Sequence, residues 1–173
     1  MKIGFCGTMS VGKTTLVKAL KELPEFSNYT FRTERSKYLM EMGIPLNTDS
    51  TLKGQLVFSA ERASELLQEN IVTDRTVIDV MAFSALSKSM TAHESYFLNS
   101  TLENLVHEYD YLFYVSPVGV KIENNGVRET DAKYRDDINK KILEILDGCN
   151  VEYITLQGSN KERIKQIMRT ILL

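Results

Sequence analysis

Eight consecutive residues, Gly7-Thr8-Met9-Ser10-Val11-Gly12-Lys13-Thr14, fit the pattern G-x-x-x-x-G-K-[ST]. In such a turn successive backbone N–H groups face inward, and the helix that follows adds the positive end of its dipole. The result is a cradle for the phosphates of a nucleotide, here expected to comprise Gly7, Ser10, Val11, Gly12, Lys13, Thr14 and Thr15. Lys13 would reach the β- and γ-phosphates, and the Thr14 hydroxyl would hold Mg²⁺. A Gly-rich turn that merely contains a lysine is the alternative. Its surroundings speak against it: Lys2-Ile3-Gly4-Phe5-Cys6 reads as a buried strand, and Leu16, Val17, Leu20 and Leu23 then recur at helical spacing. The expected ligand is a nucleoside triphosphate.

A phosphate loop alone does not separate a kinase from a switch GTPase or a motor ATPase, so the other polar residues must decide. Asp74-Arg75 stands at the end of a short apolar run, at the edge where open parallel sheets place ligands. Asp74 there suits the Mg²⁺ shell or acceptance of a proton from an attacking hydroxyl, and Arg75 could orient an acceptor; a plain helix cap is the bland alternative. Glu34-Arg35, with Lys37 nearby, suits a substrate carrying hydroxyl and anionic groups, against a simple charged helix start. Arg62 beside Glu61 reads as a solvated helical ion pair as readily as a substrate contact. Arg128 and Arg135 flank the start of a helix after Asn124-Asn125-Gly126. A loop that carries arginines over a triphosphate would neutralise the moving phosphoryl group and exclude water. His93 and His107 have no carboxylate or cysteine company at metal spacing and read as ordinary residues.

These residues need a scaffold that alternates strands and helices, and the chain offers one. Tyr29-Thr30-Phe31, Ile71-Val72-Thr73, Tyr111 to Val115 and Val151 to Leu156 join the first strand to make five. Between them, helices run from Glu34 to Met42, from about Ile78 onward, through Ile138, Ile142, Ile145 and Leu146 to Gly148, and through Ile164, Ile167, Met168 and Ile171. Another helix presents Leu52, Leu56, Ala60, Ala63 and Leu67 as its apolar face, capped by Asp49 or Ser50. This alternation predicts an α/β fold with a mainly parallel sheet covered on both faces. No linker or repeat divides residues 1–173, so a single domain is expected, with a lid segment at about 117–135.

Composition narrows the partners. With 21 basic and 23 acidic residues the formal charge is −2, which argues against a dedicated nucleic-acid grip without excluding a local basic patch. Hydrophobic content of 43% is that of a soluble globular protein, and no apolar run approaches the roughly 18 residues of a membrane span. Cys6 and Cys149 lack partners at metal or CxxC spacing, so buried, reduced thiols in a cytoplasmic setting are expected.

The chain resembles the P-loop nucleoside and nucleotide kinases. It is most similar to the small kinase-like ATPases related to the ribosylnicotinamide-kinase domain of the bacterial NAD-salvage regulator, a type also common in bacteriophage genomes. The resemblance rests on Gly7 to Thr14, on Thr33-Glu34-Arg35 through Gly43, on Asp74-Arg75-Thr76-Val77-Ile78-Asp79 with Ala82-Phe83, and on Tyr109-Asp110-Tyr111 through Gly126-Val127-Arg128 to Tyr134-Arg135. It implies a three-layer sandwich around a five-stranded parallel sheet in the order 2-3-1-4-5, with Mg-ATP as donor. It also implies an Asp-Arg pair matching Asp74 and Arg75, a lid bearing Arg128 and Arg135, and an acidic substrate-hydroxyl or Mg contact matching Glu34. Lys37 stands where related chains often carry arginine, and Asn125-Gly126 where Asp-Gly is frequent. The expected activity is transfer of the ATP γ-phosphoryl group to a nucleoside or nucleoside monophosphate, with homodimer formation left open. Ribosylnicotinamide, hydroxyl groups within a nucleic acid, or a regulatory nucleotide-binding role without an acceptor are the alternatives.

Overall fold

A computed structural model describes residues 1–33, 35–120 and 131–172. The chain enters through β1 (Lys2–Cys6) and turns into α1 (Lys13–Lys21). β2 (Thr30–Arg32), α2 (Ser36–Glu41) and α3 (Leu52–Glu65) follow, and then β3 (Ile71–Asp74), α4 (Val77–Ala85) and α5 (Ala92–Val106). β4 (Tyr111–Val115), α6 (Ala132–Gly148), β5 (Ile154–Leu156) and α7 (Asn160–Ile171) complete the described residues. The strands form one parallel sheet in the order β2-β3-β1-β4-β5. Because β1 is central and Phe5 pairs with Asp74 across to β3, the loop after β1 and the carboxylate at the end of β3 emerge side by side.

Strand alternation sends successive side chains to opposite faces, and each face has its own core. Ile3, Phe5, Phe113 and Val115 meet Leu16 and Leu20 of α1 and Ile167 of α7. Leu112 and Tyr114 meet Ile78 of α4, Leu98 and Leu102 of α5, and Ile138 and Ile142 of α6. Phe5 and Phe113 stack with ring centroids 5.3 Å apart. Gly4 serves the second face: a Cβ there would lie 2.6 Å from Thr76 Cγ2 and 2.8 Å from the Tyr109 ring. Only glycine lets the start of α4 and Tyr109 approach the sheet so closely.

The structure departs from the sequence reading at several points. Thr51, not Asp49 or Ser50, caps α3, its hydroxyl accepting from the Gly54 N–H at 3.3 Å. The side of α3 that turns inward carries Gln55, Ser59, Arg62 and Glu65, while Leu56 and Leu67 of the expected apolar face are exposed. The helical stretch from Ile78 is two helices, because Lys88 N–H donates to Thr48 O and Ser87 Oγ to Ser50 O, bending the chain before Thr91 and Glu94 form a new capping box. Tyr29 precedes β2, and β5 covers only the end of the stretch from Val151. Cys6 is buried, but Cys149 only half so. Among the described residues no helix is long and apolar enough to cross a membrane.

Candidate active site

The loop between β1 and α1 is shaped by three residues with positive φ: Gly7 at 149°, Ser10 at 57° and Gly12 at 87°. Gly7 is also sterically required, since a Cβ there would stand 2.8 Å from the Val115 carbonyl oxygen. Lys13 folds back beneath the loop and donates to the carbonyls of Gly7 at 2.6 Å and Thr8 at 2.8 Å. Burial, reinforced by the charge of Arg75, lowers its pKa to about 8.

Two arginines hold the same loop from behind. Arg135 of α6 donates from Nε to Met9 O at 3.2 Å, from Nη1 to Val120 O at 2.9 Å and from Nη2 to Ser10 O at 3.5 Å. The Thr8 hydroxyl returns a bond to the Arg135 carbonyl at 2.9 Å. Arg163 of α7 donates to Val11 O at 2.6 Å and to Ser116 O at 3.2 Å, tying the loop to the end of β4. With carbonyls of residues 9–11 engaged on this side, the loop presents a fixed backbone to a ligand. The sequence places Arg135 in a lid over the triphosphate; in this structure its guanidinium donates to the backbone carbonyls of Met9, Ser10 and Val120. Arg163 was passed over altogether, because a side chain that grips carbonyls needs no motif around it.

Thr14 lies at the loop's end and its hydroxyl donates to Asp74 Oδ2. Asp74 is 1% exposed at the tip of β3. A hydroxyl and a carboxylate form a hard oxygen pair of the kind Mg²⁺ takes beside nucleotide phosphates, so these residues fit that ion. Met9 through Thr14, with Asp74 and Arg75, line a hollow of about 250 Å³.

Arg75 separates this hollow from a second, of about 410 Å³, and lines both. Its backbone is held at φ 88°, its N–H donates to Phe5 O at 3.0 Å, and its guanidinium carbon lies 5.0 Å over the Phe83 ring. Arg75 Nη1 is 3.8 Å from Asp79 Oδ1. Asp79 in turn accepts from Thr76 N at 2.8 Å, from Thr76 Oγ1 at 3.1 Å and from Gly7 N at 3.3 Å. Its reciprocal capping box with Thr76 starts α4 and fastens that helix to the phosphate loop. The Thr76-x-x-Asp79 spacing was the available signal for this anchor.

The larger hollow has apolar walls from Leu46, Phe58, Val80 and Phe83, with Gln55, Asn47 and Arg62 among its polar lining. Arg62 is 2% exposed, and its Nη2 lies 2.7 Å from Glu65 Oε1 and 3.7 Å from Glu61 Oε2. The expected solvated helical pair is therefore a buried one facing a cavity. Burial raises the Glu65 pKa to about 6 even against the favourable charge of Arg62.

Residues 2–163 match the model of an AAA domain. The chain belongs to the AAA domain family. No curated protein matches it. Among solved structures, the deoxyadenosine kinase from M. mycoides with dCMP and dCDP bound aligns at a TM-score of 0.71 and 17% identity, over 99% of each chain. Thymidylate kinase from Ehrlichia chaffeensis aligns at 0.63 and 15%, over 98% of each. NadR protein in complex with NR aligns at 0.74 and 14%, over 99% of this chain but 51% of that one. At these identities the likeness shows the fold, a P-loop kinase-like five-stranded sheet. Family and loop together imply nucleotide binding by this AAA domain.

The structure thus brings Lys13, Thr14, Asp74 and Arg75 together at one sheet edge, with the loop residues Gly7, Ser10, Val11 and Gly12 around them. Thr15 is exposed on the first turn of α1. Arg35 lies apart, 3.3 Å from Glu61 and over the Tyr38 ring. Lys37, His93 and His107 are exposed. Glu34 and Arg128 lie outside the described residues.

Proposed function

We propose that this AAA domain is an ATP-dependent, Mg²⁺-requiring phosphotransferase that passes the γ-phosphoryl group to a nucleoside or nucleoside monophosphate. The observation that carries this reading is the position of Arg75: it lines both the phosphate hollow and a neighbouring cleft of about 410 Å³. A nucleotide switch or a hydrolase needs the first hollow; a kinase also needs somewhere to hold an acceptor in line with the leaving group.

The loop amides and Lys13 hold the β- and γ-phosphates, a role that draws Lys13 away from the Gly7 and Thr8 carbonyls it now contacts. Thr14 and Asp74 would hold Mg²⁺, which would supply charge neutralisation at the phosphate oxygens. Arg75, fixed by its backbone bond to Phe5, orients the acceptor at the border of the two hollows. The acceptor oxygen bonds to the γ-phosphorus as the bond to the β–γ bridging oxygen breaks. For a hydroxyl acceptor the proton leaves to a carboxylate, Glu34 or, where it does not hold the metal, Asp74, and Arg128 acts as a second cation over the transferring group.

The reading is tested by an ADP-release screen over nucleosides, nucleoside monophosphates, ribosylnicotinamide and short DNA, with Lys13→Ala as the blank. Acceptor-dependent ADP release that disappears in the variant is expected. Slow ADP release indifferent to every acceptor would overturn the proposal in favour of a nucleotide-binding regulator.

A further inference from the structure

A kinase of this build could take a neutral nucleoside or an already charged monophosphate, and the charges around the cleft discriminate between them. A phosphate dianion moved out of water requires guanidinium forks open for paired N–H···O bonds. Arg62 and Arg75 are the cationic side chains lining the cleft among the described residues. Neither offers an uncommitted fork. Arg62 is bonded to Glu65 at 2.7 Å with Glu61 at 3.7 Å, and both carboxylates stand on its own helix, α3. Arg75 lies against the Phe83 ring with Asp79 at 3.8 Å, and Asp79 is 1% exposed and fixed by Thr76 and Gly7. Glu61 also lies 3.3 Å from Arg35, so among the described residues Arg62 and Arg75 each already have a carboxylate within 4 Å. Both arginines of the cleft are engaged before any ligand arrives.

The remaining lining suits a neutral, flat molecule. Leu46, Phe58, Val80 and Phe83 provide apolar surface for a ring, and Gln55, 3% exposed, brings a carboxamide that can both donate and accept. Arg62 Nε is buried without a hydrogen-bond partner among the described residues, a single donor suited to one neutral oxygen.

Resting on the kinase reading above, we propose that the cleft selects an uncharged nucleoside, phosphorylates its hydroxyl, and rejects the corresponding monophosphate because its arginines are already neutralised by Glu61, Glu65 and Asp79. A dianion entering here would meet guanidiniums already held by carboxylates and would have to compete with them, a cost large enough to separate substrates by at least ~100-fold.

The test uses the full chain with Mg-ATP and matched pairs, each common nucleoside and deoxynucleoside against its own 5′-monophosphate. The expected result is a kcat/KM at least ~100-fold higher for the preferred nucleoside than for its monophosphate. Equal or better use of the monophosphate overturns the charge argument and leaves the kinase reading standing. Turnover of neither class overturns both. Glu65→Gln supplies a second readout, because it removes the carboxylate 2.7 Å from Arg62 and leaves it only the looser contact with Glu61 at 3.7 Å among the described residues. The nucleoside-to-monophosphate ratio should fall by ~10-fold, through a lower KM for the monophosphate. An equal loss for both substrates would mark Glu65 as merely structural and sink the selection mechanism.

Discussion

The two hollows that meet at Arg75 are built from different materials. The phosphate loop is made of backbone: two glycines, a left-handed Ser10 and a row of peptide groups, with Arg135 and Arg163 gripping carbonyls from behind. The cleft is made of side chains drawn from the turn before α3, from α3 itself and from α4. A backbone cradle recognises what every nucleotide shares, its phosphates. A side-chain cleft recognises what distinguishes one acceptor from another. Substitutions in the two regions should therefore fail in different ways.

Lys13→Ala should have the largest effect, lowering kcat by ~10³-fold or more, since charge at the transferring phosphoryl group dominates this chemistry. A single-turnover measurement of phosphoryl transfer checks it. Gly7→Ala comes next. Its Cβ would meet the Val115 carbonyl oxygen at 2.8 Å from a φ of 149°, so the loop must distort. Nucleotide affinity should be lost together with a few degrees of Tm, at a cost of about 1–3 kcal/mol. Calorimetry and a thermal melt would show both.

Arg163→Met then separates the regions. Loss of its bonds to Val11 and Ser116 should weaken nucleotide binding by ~10-fold and leave the acceptor KM unchanged. An effect confined to the acceptor KM would break the comparison.

The smallest effect concerns pH. The Glu65 carboxyl is raised in the fold from 4.5 to about 6, so the folded chain binds its proton more tightly than the unfolded chain does. Its ionisation opposes folding above that range. Stability therefore gains a contribution as pH falls from about 6 to 4.5, of at most ~2 kcal/mol. Denaturant titrations of the wild type and Glu65→Gln over that window should differ in slope, with the variant flatter.

The same contrast of materials explains what was legible in the amino-acid sequence. The phosphate loop could be read because its conformation depends on residue types at fixed offsets, and the strand ending at Asp74 because Ile71-Val72-Thr73 is a run of β-branched residues. The sheet order came through the family resemblance. The cleft could not be read in this way. On α3, apolar Leu56 and Val57 are exposed while Gln55, Arg62 and Glu65 are buried, the reverse of the usual amphipathic rule. That reversal arises because α3 contributes Gln55 and Arg62 to the wall of a hollow, and the pairing of Arg62 with Glu65 makes burial of its charge tolerable. Arg135 was noticed for its position after a polar segment, yet its bonds to Met9 and Ser10 depend on the packing of α6 against a loop 125 residues away in sequence.

The central claim is that a phosphoryl group held at the Lys13 loop is handed across Arg75 to an organic molecule. Its most direct test follows the label from ATP labelled in the γ-phosphoryl group, in the presence of a mixture of nucleosides. The account predicts that the label appears in a nucleoside monophosphate in a one-to-one ratio with ADP, and that Lys13→Ala abolishes the transfer. Label released only as inorganic phosphate, at a rate independent of the nucleosides, would contradict it.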